Sequence, residues 1–265
     1  MLQATNIVKT FNRGTPNEKR ALQGVSLTLN DGDFVTVIGS NGAGKSTFLN
    51  AIAGVWPVNE GQFVINGKNI TYMPEYKRAA FLGRVFQDPM NGTAAAMSIE
   101  ENLALAMRRG KLRTLMPMIT AKERALYKEK LERLGLGLQD RMTSKVGLLS
   151  GGQRQALTLL MATLRRPEVL LLDEHTAALD PKTARKVLDL TSEIVSEQKL
   201  TALMVTHNMR DAIQTGNRLI MMHEGHIIFD VAGEEKKRLK VEDLLHKFEE
   251  AAGEAFANDR MMLGN

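Results

Sequence analysis

The run Gly39-Ser40-Asn41-Gly42-Ala43-Gly44-Lys45-Ser46 has the spacing G-x-x-x-x-G-K-[ST]. Glycines so placed let the main chain curl until several N–H groups point at one anion. The lysine adds a mobile cation for β- and γ-phosphates, and the serine a hydroxyl for Mg²⁺. An apolar, strand-like run, Phe34-Val35-Thr36-Val37-Ile38, leads in, and a helical run beginning at Thr47 leads out. The first turn of that helix directs its positive end at the same point, so Thr47 closes the cradle. The chemistry these residues could do is to grip a nucleoside triphosphate.

Two further groups bear on that chemistry. Val169-Leu170-Leu171-Leu172 reads as a buried strand ending in Asp173, with Glu174 next. A carboxylate at such a strand end holds the water shell of Mg²⁺. A second one beside it can orient or deprotonate an attacking water. Ser150-Gly151-Gly152-Gln153 stands just before a helical run. It reads either as an ordinary helix cap or as a second anion cradle. One nucleotide does not need two cradles from one chain, so the second reading implies two chains clasping each nucleotide.

The elements that must position these groups follow from periodicity. Short β-type runs occupy residues 2–8, 25–29, 34–38 and 62–65, with turn signals at Asn30-Asp31-Gly32-Asp33 and Ile65-Asn66-Gly67. Residues from about 89 to 165 change to helical spacing, and Ser98-Ile99-Glu100-Glu101 fits a capping box. Strand 169–172, helix 183–198 and strand 202–205 imply a parallel sheet with helices on its faces. A strand pair is expected at 218–222 and 226–231, turning at Glu224-Gly225. The tail from about residue 234 is charged, then amphipathic through Leu244, Leu245, Phe248, Ala251, Ala252 and Ala255, and is expected to pack on the body.

Bulk properties narrow the class. The 265 residues are 43% hydrophobic and 25% charged, with no cysteine, which removes disulfides and cysteine-based zinc sites. No apolar stretch approaches the ~18–20 residues of a membrane span, and the N-terminus lacks a signal pattern, so a soluble, non-secreted chain is expected. The net charge is +5; the clusters Arg108-Arg109-Gly110-Lys111 and Lys236-Lys237-Arg238 read as solvated faces rather than binding patches.

Taken together, the residues resemble the ATP-binding-cassette ATPase family over about residues 2 to 232. Gly39 to Ser46 matches Walker A. Gln87, in Val85-Phe86-Gln87-Asp88-Pro89, matches the Q-loop glutamine, and Leu149 to Gln155 matches the signature motif. Val169 to Asp173 matches Walker B with Glu174 as the catalytic carboxylate, Ala178-Leu179-Asp180 the D-loop and His207 the switch histidine. Phe11 resembles the aromatic that stacks on adenine, although the loop behind it is long. One departure is His175, where many members have proline. Two readings stay open for it: electrostatic coupling to Glu174, or a variant without catalytic consequence.

The resemblance implies an α/β fold: a P-loop NTPase (RecA-like) core, an N-terminal antiparallel β subdomain and an inserted helical subdomain. The expected parts are residues 1–88, 89–165, 166–233 and a tail, 234–265. It implies ATP and Mg²⁺ as ligands, with Lys45, Gln87, Glu174 and His207 catalytic and Ser46, Gln87 and Asp173 at the metal. It further implies an ATP-bound homodimer and permease subunits at the cytoplasmic face of a prokaryotic membrane. A solute-binding protein belongs to the same system, and no direct nucleic-acid contact is expected. The stretch from Gln87 to Thr93 and that from Asp173 to Asp180 look most like importers with branched-chain-type permeases, some assigned to amino acids, including aromatic ones. The rivals are an export or lipoprotein-release ATPase and a soluble cassette acting on nucleic acid or ribosomes.

Overall fold

The computed structural model describes residues 1–111 and 119–252. Along the chain run β1 (Leu2–Phe11), β2 (Lys19–Leu29), β3 (Phe34–Gly39), α1 (Lys45–Ala53), β4 (Glu60–Ile65), β5 (Lys68–Asn69) and α2 (Glu75–Arg78). Then follow β6 (Leu82–Val85), α3 (Ile99–Met107), α4 (Ala121–Glu132), α5 (Gly151–Leu164), β7 (Val169–Asp173) and α6 (Pro181–Glu197). The last elements are β8 (Ala202–Val205), α7 (Met209–Gln214), β9 (Arg218–His223), β10 (His226–Ala232), α8 (Gly233–Arg238) and α9 (Val241–Ala252). The chain forms two compact units, one of residues 1–78 with 201–265 and one of residues 79–200.

The first unit holds two sheets. One is antiparallel, in the order β2-β1-β4-β5. In the other, β3 lies between β9 and β8, parallel to both, and β10 closes on β9 as an antiparallel hairpin. That hairpin turns at Glu224 (φ 45°) and Gly225 (φ 79°), the left-handed pair that a two-residue hairpin requires. The turn at Asn30–Asp33 makes no hairpin. It closes with Asp33 N–H donating to Asn30 O at 3.1 Å, but it delivers the chain from β2 in one sheet to β3 in the other. Every residue of β3 is buried. The amphipathic tail docks here: Leu244 and Phe248 of α9 pack on Ile38, Met209, Ala212, Leu219, Met221 and Val231. Ala255 and the Ala252 side chain lie outside the described residues. Lys236, expected on a solvated face, is instead 2% exposed. Its ammonium donates to Thr215 O and, at 3.0 Å, to Gly216 O, closing the end of α7, and burial pushes its pKa down to about 8.

The second unit pairs β6 with β7 in parallel; α5 packs against β6, and α3, α4 and α6 pack against α5. Its core is Ile99, Leu103, Tyr127, Leu131, Leu138, Val146, Leu149 and Leu157. α3, α4 and α5 each begin with a capping box, on Ser98/Glu101, Thr120/Glu123 and Ser150/Gln153. Each satisfies N–H groups that a helix start otherwise leaves open.

Candidate functional site

In the first unit, β3 ends at Gly39 and the chain loops through Gly44 into α1. Two glycines are obligatory for steric reasons. A Cβ at Gly39 would lie 2.3 Å from Met222 O, and one at Gly44 (φ 102°) 2.6 Å from Ala21 O. Only bare backbone fits that close to β9 and β2. Ala43 N–H donates to Ser40 O at 3.1 Å, and Gly225 N–H to Ala43 O at 3.0 Å. Gln23 N–H in turn donates to Gly225 O at 3.0 Å, so main-chain bonds fix the curl from outside. No side chain caps α1 at Gly44, unlike α3, α4, α5 and α6 of the second unit. A helix start of this kind is one that an anion can approach. Lys45 is buried and folds back over the loop, donating to Gly39 O at 2.6 Å and Ser40 O at 3.0 Å. Asn41, Gly42 and Ser46 are exposed and Thr47 half-buried.

His207 follows the last residue of β8, Val205, by two positions. Val205 pairs with Val37 of β3, and Ser40 follows Val37 by three. The loop and the histidine thus stand at the carboxyl ends of neighbouring parallel strands, where open α/β sheets bind ligands. The Thr206 N–H donates to Val37 O at 3.0 Å, and Asn208 caps α7, so His207 projects, exposed, from a fixed turn. Phe11 ends β1, half-buried, edge-on to Trp56 at 4.9 Å between centroids, with the Lys9 ammonium 4.9 Å from its ring centre. The long loop behind it is ordered by Thr15 N–H to Asn12 O (3.1 Å), Glu18 N–H to Thr15 O (3.0 Å) and Gly14 N–H to the Glu18 carboxylate (2.7 Å). Lys19 pairs with Phe11 across this hairpin, and a Cβ at Gly42 would stand 3.5 Å from its Nζ. That cation beside the loop is invisible in the motif and follows only from the strand register.

In the second unit, Val85 pairs with Leu172, so Gln87 and the Asp173-Glu174 pair stand at the carboxyl ends of β6 and β7. Gln87 is exposed; the amide of Gln155 holds its loop by donating to Phe86 O at 3.2 Å. The Arg84 guanidinium lies 3.9 Å from the Asp173 carboxylate and stacks on Phe86 at 4.4 Å. An arginine inside an otherwise apolar strand was the available signal for it. Glu174 has φ 43°, in the left-handed region. His175 is fully buried, with Nε2 3.0 Å from Thr191 Oγ1. Desolvation pushes its pKa down to about 4, so the imidazole is neutral at neutral pH and exerts no net charge on Glu174.

The Ser150 side chain accepts from Gln153 N–H at 3.3 Å, and Ser150 N–H donates to the Gln153 side chain at 3.2 Å. As it stands, the turn is a helix cap. A Cβ at Gly152 would lie 2.2 Å from Thr183 Cγ2, whereas one at Gly151 would make an ordinary 3.4 Å contact with Leu179. Gly152 is thus required by packing against α6.

The loop residues, Lys45, Ser46, His207 and Phe11 belong to the first unit, and Gln87, Asp173, Glu174 and the Ser150 turn to the second. Among the described residues no three His, Cys, Asp or Glu side chains gather as a metal site. The donors named for Mg²⁺ are a hydroxyl, an amide oxygen and a carboxylate, an all-oxygen set that suits a hard cation.

A strand running through a glycine-bound loop into a helix, in the first unit, and acidic and amide groups at the ends of two paired parallel strands, in the second, are each features of a P-loop nucleoside triphosphatase. The ABC transporter family matches residues 22–177, more than half of the chain, and the chain belongs to that family as its ATP-hydrolysing cassette. It is 47% identical over 251 residues to a tyrosine transport ATP-binding protein of Clostridioides difficile (strain R20291), covering 95% of this chain and 100% of that one. It is 36% identical over 201 residues to the thiamine import ATP-binding protein ThiQ of Chelativorans sp. (strain BNC1), covering 76% of each. The lipoprotein-releasing system ATP-binding protein LolD of Syntrophus aciditrophicus (strain SB) is 35% identical over 232 residues, covering 86% and 99%. Among solved structures, a dimeric ATP-binding cassette in a post-hydrolysis state bound to ADP and Pi superposes with TM-score 0.73 at 29% identity, covering 88% of this chain and 98% of that one. A cassette of an ABC transporter in its ADP conformation gives TM-score 0.76 at 28% identity, covering 94% and 98%.

Proposed function

We propose that the chain powers an importer of small solutes, with an aromatic amino acid such as tyrosine as cargo. The observation that carries this reading is the 47% identity to a tyrosine transport ATP-binding protein along that protein's whole length. The similarity to a thiamine import protein supports the direction of transport. Among the described residues no helix is long and apolar enough to cross a membrane. In this reading separate permease subunits carry the solute and hold the chain at the cytoplasmic face, and a solute-binding protein delivers it. Residues 89–165 form the lobe that meets the permease, and residues 1–88 with 166–233 form the ATPase core.

The roles follow from the chemistry of each group. The loop Gly39–Ser46 and the open start of α1 receive the phosphates, and Phe11 offers its ring to the base. Lys45 leaves the carbonyls of Gly39 and Ser40 for phosphate oxygens, exchanging neutral acceptors for anionic ones. Mg²⁺, when bound, neutralises charge on the β- and γ-phosphates, and Ser46, Gln87 and Asp173 are the residues that would hold it. Glu174 accepts the proton of the attacking water, and His207 hydrogen-bonds the γ-phosphate. Ser150, Gly151, Gly152 and Gln153 of a second copy present the N-terminus of their α5 to the same phosphates, so that ATP closes the dimer and hydrolysis reopens it. The dimeric ADP- and Pi-bound cassette of similar fold supports this assembly.

The test is reconstitution in proteoliposomes with the permease and solute-binding protein that co-purify with the chain from its own cells. ATP-driven accumulation of labelled tyrosine is expected when the binding protein is present. Stimulation by a lipoprotein substrate instead, with no solute uptake, would favour the releasing activity named for the LolD relative.

A further inference from the structure

The turn after β7 carries a buried polar group that nucleotide chemistry does not use. His175 stands between Glu174, held at φ 43°, and a pair of tight turns in which Ala177 N–H donates to Glu174 O at 3.0 Å and Leu179 N–H to Thr176 O at 3.2 Å. A left-handed conformation at a residue other than glycine persists only where the surroundings enforce it. The side chain of His175 reaches Thr191 in the middle of α6, sixteen residues on. Thr191 Oγ1 also lies 2.7 Å from Val187 O. A hydroxyl has one proton, and a carbonyl can only accept. Thr191 therefore gives its proton to Val187 and must accept from His175, which fixes the imidazole as the Nε2–H tautomer. The bond is fully buried, where water cannot replace either partner.

We propose that His175 is a positioning residue: its Nε2–H bond to Thr191 pins the turn to α6 and holds the Glu174 backbone in the conformation from which its carboxylate acts. This rests on the catalytic reading of Glu174. Proline restricts this position through its own ring; here a hydrogen bond sixteen residues away does that work. Removing it leaves the carboxylate chemically intact but less well held, so turnover falls while nucleotide binding, which uses other residues, does not.

The experiment compares H175A, H175Q, T191A and the double variant H175A/T191A, purified as full-length protein. ATP affinity is measured by calorimetry, turnover by phosphate release, and the tautomer by nitrogen NMR of the histidine ring. H175A and T191A should each lower kcat about tenfold, with ATP Kd unchanged within about twofold. The double variant should lose no more than either single one, because both remove one bond. H175Q, whose amide donates from a similar distance, should recover most of the loss. If H175A does not fold, T191A removes the same bond and stands alone. Unchanged kcat in folded T191A, additive losses in the double variant, or a ring protonated only at Nδ1 would each overturn the proposal. Normal turnover by E174Q would instead overturn the role of Glu174, a failure that leaves the tautomer result standing.

Discussion

Replacing Gly152 with alanine separates what this glycine does for packing from what it does for a phosphate. The added Cβ would sit 2.2 Å from Thr183 Cγ2, over 1 Å inside ordinary contact. Thr183 cannot swing aside freely, since it is β-branched and its N–H is held by the Asp180 carboxylate at 3.1 Å at the start of α6. Such overpacking costs about 1–3 kcal/mol, while alanine in place of glycine in a helix returns up to about 1 kcal/mol. The net loss is about 1–2 kcal/mol, or a Tm lower by about 2–8 °C for a chain of this size. G151A is the control: its Cβ would meet Leu179 at 3.4 Å, so stability should hold or rise slightly. Adding Thr183→Ser removes Cγ2 and should restore G152A. Urea denaturation of the four proteins measures this. If G152A is as stable as G151A, or T183S fails to restore it, the packing argument is wrong. If stability returns and ATP turnover does not, Gly152 is also needed for close approach to a phosphate.

Three further outcomes are expected. K45A should weaken ATP binding about 10- to 100-fold, because charged hydrogen bonds to phosphate are lost; equal affinity by calorimetry would remove Lys45 from the grip. E174Q should bind ATP normally, lose at least about 100-fold in turnover and accumulate as an ATP-bound dimer on a sizing column; a monomer at saturating ATP would count against shared sites. For Lys236, the folded pKa of about 8 lies below the usual 10.5, so from about pH 8 to 10.5 the unfolded chain binds more protons and stability should rise with pH. K236M should lack that rise, and parallel pH curves for the two proteins would refute it.

Much of this was legible because it is local. The loop between strand and helix at Gly39 to Ser46 shows in its glycine spacing, Ser98-x-x-Glu101 in its cap, and Glu224-Gly225 in the turn residues a tight hairpin demands. What was not legible depends on partners far along the chain. Asn30–Asp33 has the composition of a hairpin turn, yet no local signal says that β2 and β3 join different sheets. Lys236 sits in a charged run that reads as solvated, and only the fold supplies the carbonyls of Thr215 and Gly216 that let it be buried. The bond between His175 and Thr191, the Arg84 guanidinium beside Asp173 and the methyl of Thr183 over Gly152 are likewise products of packing.

The brace behind the anion loop runs from Gln23 through Gly225 to Ala43 by peptide groups alone. Replacement of Gln23 or Ala43 by anything but proline leaves N–H and C=O in place and cannot sever it, whereas at Gly225 (φ 79°) any Cβ would stand 2.9 Å from Ala21 O and strain it. Proline at 225 can, since it removes the one donor in the middle, and so can a chain cut short before β10. The curl of the loop between β3 and α1 thereby leans on a peptide group that lies far along the polypeptide, in the turn between β9 and β10.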